Sequence, residues 1–204
     1  MIIRKNISKE EIGNFPKVAF SGKIHLVRTP QEAERAIAYL KQFSLLGIDT
    51  ETRPSFKKGL VNKVALVQIS TENEAFLFRV NQTGLTLPLI TLLENSQIAK
   101  VGLSLKDDVH SLHRKHSFEP NGFLDLQGYV KELGIEAQSL QKIYALLFKK
   151  KISKSQRLTN WEADVLTDRQ KGYAATDAWA CIRIYKYLEE LKQKHQVRIV
   201  KVDI

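Results

Sequence analysis

Thr167-Asp168-Arg169-Gln170-Lys171-Gly172-Tyr173-Ala174-Ala175-Thr176-Asp177 is the stretch on which the reading of this chain turns. Thr167 through Gln170 form a capping box: the Thr hydroxyl accepts from the backbone N–H three residues on, and the Gln side chain reaches back to the cap. A long helix is expected to follow, because Ala174, Ala178, Ile182, Tyr185 and Leu188 recur at helical spacing as one apolar stripe. Tyr173 and Asp177 stand one turn apart on a strip beside it. Alanines at 174, 175, 178 and 180 let this helix lie close to whatever it packs on. Asp177 therefore borders a buried face, where a carboxylate is costly unless a metal, a cation or hydrogen-bond donors satisfy it. Taken alone, the pair also suits a solvated acid beside a half-buried phenol, so the decision falls to the rest of the chain.

Upstream, Leu45-Leu46-Gly47-Ile48 is a short apolar run that suits a strand buried on both faces, and it ends abruptly in Asp49-Thr50-Glu51. A strand has a side-chain period of two, so Asp49 and Glu51 project from the same face. An acidic strand end often means only that the strand has reached solvent. Carboxylates at this spacing also grip a hard divalent cation, since Mg²⁺ takes oxygen ligands. Further on, residues 99–103 read as a strand, and Asp107-Asp108 opens the helix after it. The helix dipole favours acids there. The same crossover can deliver one carboxylate to the edge where Asp49 and Glu51 emerge. Asp125 follows another short strand and is explained as a helix cap.

The remaining elements follow from periodicity and turn chemistry. Ser8-Lys9-Glu10-Glu11 reads as a second capping box, opening a short helix that ends before Pro16. Residues 23–28 suit a strand. Thr29-Pro30 starts a helix with apolar contacts at Ala33, Ile37, Ala38, Tyr39 and Leu40. Strands are expected over 64–69 and 75–80 with a hairpin turn between them, then a helix over 87–93. Past 106–116, a strand at 123–125 precedes helices over 126–133 and 139–148. Residues 149–157 lack periodicity and carry dense positive charge, so a surface loop is expected. Residues 196–202 alternate weakly and suit an edge strand. This order points to an α/β mixed sheet in one domain over 1–204, with a short N-terminal extension and a core of about 23–192.

Apolar residues at 43% and charged residues at 26% exclude wholesale disorder, and no apolar run is long enough for a membrane span. The formal charge of +10 suits a polyanionic partner, nucleic acid or an anionic membrane surface. An obvious basic amphipathic helix is missing, which disfavours the membrane. A single cysteine, Cys181, leaves no intrachain disulfide partner and no Cys-rich zinc site, and packing in the long helix is its expected role. His110, His113 and His116 drift around their helix and suit the surface rather than zinc. The N-terminus lacks the apolar core of a signal peptide, so a cytoplasmic protein is expected.

Each acidic feature alone is commonplace; the ordered set is not. An acid pair ends a strand, an Asp opens a later helix, and Tyr-x-x-x-Asp lies inside a final helix. With Val64-Ala65-Leu66-Val67-Gln68-Ile69, Val101-Gly102-Leu103-Ser104-Leu105-Lys106-Asp107-Asp108 and Asn160-Trp161, the chain resembles the DEDDy branch of 3′–5′ exonucleases, most of all the exonuclease domains related to Werner syndrome protein and ribonuclease D. The resemblance covers residues 45–188.

It implies an RNase H-like fold with a mixed five-stranded sheet flanked by helices. It implies metal-dependent hydrolysis from nucleic-acid 3′ ends, DNA favoured, through two Mg²⁺ or Mn²⁺ ions about 4 Å apart. Asp49, Glu51, Asp108 and Asp177 would hold the ions, Asp108 matching the pattern better than Asp107. Asp49 would lie between the ions and Tyr173 would orient the attacking water. Substrate contacts would come from Arg53, Phe56, Lys57, Lys58, Lys150, Lys151, Arg157 and Trp161, the aromatic groups stacking bases and the cations holding phosphates. Two departures stand out: Asp164-Val165 replaces the usual Arg-Pro, and after the catalytic domain no extra helical domain like that of ribonuclease D is expected. The alternatives are ribonuclease D-like trimming of RNA 3′ ends and a nucleic-acid-binding module with an inactive site.

Overall fold

Val64-Ala65-Leu66-Val67-Gln68-Ile69 has no polar alternation, so a strand made from it must be covered on both faces, and Val64–Ser70 is buried at every residue. The computed structural model describes residues 2–56, 62–194 and 198–200. In chain order these form β1 (Ile2–Arg4), α1 (Lys9–Gly13), β2 (Lys17–Val18), β3 (Lys23–Val27), α2 (Pro30–Leu40), β4 (Leu45–Thr52), β5 (Val64–Ser70) and β6 (Glu74–Phe78). There follow α3 (Val80–Thr83), α4 (Leu87–Leu93), β7 (Ala99–Gly102), α5 (Leu105–His113), β8 (Phe123–Asp125) and α6 (Leu126–Glu132). The chain continues through α7 (Leu140–Phe148), β9 (Lys151–Ile152), α8 (Asp168–Gln193) and β10 (Arg198–Val200).

The main sheet runs in the order β3-β6-β5-β4-β7-β8. β5 is antiparallel to both β4 and β6, whereas β3 is parallel to β6, and β7 and β8 continue parallel from β4. The expected mixed, helix-flanked sheet is present with six strands rather than five. The sixth is β3, which the 23–28 pattern had marked as a strand and which pairs with the outer edge of β6.

Side-chain alternation divides the core. Ile48, Val67, Ile69 and Phe76 face the cluster built with α2 and α4, while Val101 belongs to the cluster of α6, α7 and α8 on the other face. Local chemistry differs from expectation in four places. At α1 the Ser8 hydroxyl accepts from the Glu11 N–H, but the Glu11 carboxylate pairs with Arg4 instead of closing the box. In α2 Ala36 is buried along with Ala33, and Ala38 faces outward. Within the expected 149–157 loop, Lys151–Ile152 pairs in parallel with β2, so the loop is pinned at its start. Of the expected terminal strand, Arg198–Val200 pairs in parallel with β1; the rest of 196–202 lies outside the described residues.

The approach of α8 to β4 positions everything that follows. A Cβ on Gly47 would lie 2.0 Å from the Ala178 carbonyl oxygen, so only glycine permits the helix backbone to rest on the strand here. Ala174, Ala175 and Ala178 continue this close contact as fully buried residues. Gly47→Ala should push α8 off the sheet, lowering stability by roughly 1–3 kcal/mol and weakening divalent-ion binding at the same time. Thermal melts with and without MnCl2 check this; an unchanged melting temperature would contradict the close-contact account.

Candidate active site

Gly47, Asp49 and Glu51 share one face of β4 by strand periodicity, and Gly47 shows that this face lies against α8. Where the apolar run ends, the β4–β5 register shifts: Glu51 pairs with Leu66 but Thr52 with Val64, leaving Ala65 as an extra residue. Such a bulge increases twist and re-aims side chains, here at the acid pair. From above, α8 places Asp177 beside Ala178, the residue that touches Gly47. Asp49, Glu51 and Asp177 each present a carboxylate oxygen, all within 4.8 Å of one another.

The start of α8 is held in several ways. Thr167 and Gln170 form the complete capping box, and the Gln170 amide also donates to Thr159 and to the Asn160 carbonyl. The Thr176 hydroxyl accepts from the Phe20 N–H, tying the N-terminal segment to the helix. Tyr173 packs on Trp161 with ring centroids 6.0 Å apart, and its hydroxyl hydrogen-bonds to the Asp177 carboxylate.

Asp108 arrives by another route. Asp125 caps two helices at once: its carboxylate accepts from the N–H groups of Ser104 and Leu105 at the start of α5 and of Gln127 at the start of α6. With α5 thus fixed against β8, Asp108 accepts a hydrogen bond from the Thr50 hydroxyl, between the two acids of β4. Asp107, its neighbour, is exposed.

Burial pushes all four acids upward, and repulsion from the other acids of the cluster adds to it at Asp49 and Glu51. Asp49 is raised well above the ordinary carboxylate range, first by burial, then by Asp177, Glu51 and Asp108. Glu51 is pushed up to about 9 by burial and by Asp177 and Asp108, with Arg157 opposing. Asp177 rises to about 7 through burial, against the Tyr173 hydrogen bond and Lys154. Asp108 rises to about 6 through burial, partly offset by Thr50. The Tyr173 phenol is held far above its ordinary value by burial and by Asp177, so it keeps its proton and acts as a donor. The donor set fits a hard divalent cation: it is all oxygen, closely spaced, and relieved of its repulsion by added positive charge.

The expected substrate contacts separate into groups. Arg53 pairs with Glu162 at 3.4 Å, and Phe56 is 86% exposed. Lys57 and Lys58 lie outside the described residues. Lys150 is exposed, whereas Lys151 is partly used in donating to the Gly13 carbonyl. Arg157 faces Glu51 electrostatically. Trp161 corrects the expectation: it is 0% exposed and supports Tyr173 from below, where no base can stack on it. Lys154 was missed as an individual; it lies in the same basic segment and acts on Asp177. A cleft of about 230 Å³ opens beside Tyr173, with Ser153, Ser155 and Gly172 among its walls. His113 stacks on Phe118, and the only metal-compatible group among the described residues is the acidic one. Cys181 is buried, its thiol directed at the Asp177 carbonyl.

A sheet-end cluster of carboxylates under a long helix, on an RNase H-like fold, defines a nuclease-type acidic site. The chain matches the 3′–5′ exonuclease domain family over residues 24–192 and belongs to it, as a hydrolytic 3′–5′ exonuclease. It is 31% identical over 201 residues to a 3′–5′ exonuclease of Arabidopsis thaliana, covering 91% of this chain and 70% of that one. It is 32% identical over 164 residues to the bifunctional 3′–5′ exonuclease/ATP-dependent helicase WRN of Mus musculus, covering 78% of this chain and only 12% of that protein. In structure it resembles Escherichia coli RNase D, described as an exoribonuclease involved in structured RNA processing, with TM-score 0.76 at 20% identity over 84% of this chain and 46% of that one.

The raised carboxylates set the sign of the pH response without metal. The unfolded chain loses these protons near the ordinary carboxylate values of 3.8 and 4.5, whereas folded Asp177 holds its proton to about 7 and Glu51 to about 9. The native state binds more protons across that window, so stability falls as pH rises through it. In EDTA the melting temperature should drop by roughly 5 °C or more between about pH 5 and pH 9. Asp49→Asn should flatten the profile. A stability that rises over this range would contradict the cluster's electrostatics.

Proposed function

We propose that Asp49, Glu51, Asp108 and Asp177 hold two Mg²⁺ or Mn²⁺ ions and that the protein uses them to hydrolyse the terminal phosphodiester at nucleic-acid 3′ ends, acting on DNA. The observation that carries this reading is the convergence of Asp49, Glu51 and Asp177 within 4.8 Å, with Asp108 hydrogen-bonded to the intervening Thr50. When bound, such ions acidify water and neutralise charge growing on the phosphate. The chain's own residues do the rest. The Asp177 carboxylate orients the Tyr173 hydroxyl, whose firmly held proton suits it to position the attacking water rather than to deprotonate it. Buried Trp161 fixes the phenol's height above the acids.

Lys154 and Arg157 face the cluster from one segment, tied down before them by β9 and after them by Trp161 and the Gln170 contacts to Thr159 and Asn160. They are the cations best placed to hold phosphates beside the acids. Phe56, which follows the acid pair of β4 and Arg53, supplies an exposed ring for base stacking. The DNA reading is supported by 29% identity over 158 residues to DNA polymerase I of Aquifex aeolicus, covering 26% of that protein. The fold likeness to RNase D favours the second reading, RNA 3′-end trimming. Phosphate contacts are blind to the sugar, so the choice rests on substrate comparison.

With 5′-labelled DNA and RNA oligomers, stepwise shortening from the 3′ end should require Mn²⁺ or Mg²⁺ and stop in EDTA. Asp49→Asn should lower kcat by at least roughly 10³-fold and Tyr173→Phe by about 10²-fold, both variants remaining folded. Activity that survives EDTA, or equal activity in wild type and Asp49→Asn, would sink the reading. A Lys154→Ala/Arg157→Ala double variant should weaken substrate binding and reduce the slope of log affinity against log salt by about 1.5. An unchanged slope would remove this segment from the binding surface.

A further inference from the structure

Gln68 lies directly across from Asp49 in the β4–β5 register. Residues paired this way project from the same face with Cβ atoms about 4.5–5.5 Å apart, which brings the Gln68 amide within reach of the Asp49 carboxylate. Gln68 is fully buried, and neither its Nε2 nor its Oε1 has a hydrogen-bond partner. Its surroundings on that face are otherwise apolar: Leu77 is its partner on β6, Leu66 precedes it by two, and both belong to the fully covered cluster with Ala174. An amide left idle at such a place costs stability, and an apolar chain of equal length would avoid that cost. Buried polar groups without partners call for an explanation; the register sets this one opposite the Asp49 carboxylate, while the Trp161 indole N–H, in the cluster of Leu66 and Leu77, is also without a partner.

We infer that Gln68 is a positioning residue for Asp49: with divalent cations in the acidic site, its amide N–H donates to the Asp49 carboxylate and fixes the direction in which that carboxylate points. The inference rests on the metal-dependent reading above and adds one member to its supporting shell. Carboxylates that hold metals are themselves held by hydrogen bonds from behind, and the loss of such a bond lowers metal affinity. No other polar side chain on β5 between the bulge and the hairpin faces Asp49; Ser70, the next residue on that face, bonds to the Thr71 and Glu74 carbonyls.

The test uses the full chain as wild type, Gln68→Met and Gln68→Leu, and reads three quantities. Metal-free melting in EDTA should rise by about 3 °C or more in Gln68→Met, because the idle amide is gone. Calorimetric titration with MnCl2 alone should show affinity lowered roughly tenfold or more in both variants. On a labelled oligomer, kcat should fall while KM stays the same. If both variants bind Mn²⁺ as wild type does, or both lose the folded metal-free state, the inference is overturned and Gln68 is structural. A wild-type chain that takes up no Mn²⁺ would instead overturn the metal-dependent reading itself, so the two failures are separable.

Discussion

The contact between the Gly47 backbone and the Ala178 carbonyl sets the spacing of the whole site. A carboxylate cluster needs its members within a few ångströms, and α8 can bring Asp177 that close to β4 only if nothing larger than hydrogen stands on Gly47. Small residues along the helix extend the same condition over more than a turn. Once the axis is fixed, the bulge at Glu51/Thr52 aims the acid pair of β4 at Asp177, and the double cap by Asp125 holds Asp108 against Thr50. Backbone geometry thus does the assembling, and the side chains that carry the chemistry add little to holding the elements together.

They act against stability. Four acids shifted toward their neutral forms, and an amide with no partner, are costs that a protein selected only for folding would shed. The surrounding core offsets them: both faces of the sheet are sealed by buried aliphatic residues, and two buried cations are spent on architecture. Lys100 donates to the Leu92 and Asn95 carbonyls at the end of α4. Arg79, at the end of β6, donates to the Ala163 and Asp164 carbonyls just before α8. Arg79 thus braces the segment that holds Asp164-Val165. The excess positive charge that remains at the surface is what a polyanion meets.

The legible parts of this fold share a cause. The caps of α2 and α8, the hairpin between β5 and β6, the strand at 123–125 and the acid-bearing ends of β4 and α8 are all set by local periodicity or local hydrogen bonding, and each occurs as expected. The parts misread depend on distant partners. Lys151–Ile152 is a strand only because Lys17–Val18 runs beside it, and Glu11 leaves its cap because Arg4 competes for it. Gln68 shows the same limit from another side. Its place in the Val64–Ile69 motif is visible in the sequence, but its isolation appears only once the register sets it opposite Asp49.

Trp161 shows how a correct motif can suggest a wrong role. An aromatic residue in a basic segment reads naturally as a base-stacking platform, and that inference assumes exposure. Here the indole is sealed against Tyr173, and the exposed aromatic ring that follows the acid pair of β4 is Phe56. The burial is not idle. The phenol holds its hydroxyl against Asp177 as a donor, its proton kept in place by burial and the nearby acids. A small ring could tilt away from that contact, but one resting on a fully enclosed indole has little room to do so. The aromatic pair therefore converts packing into orientation: Trp161 is closed to solvent, yet it limits where the Tyr173 hydroxyl can stand.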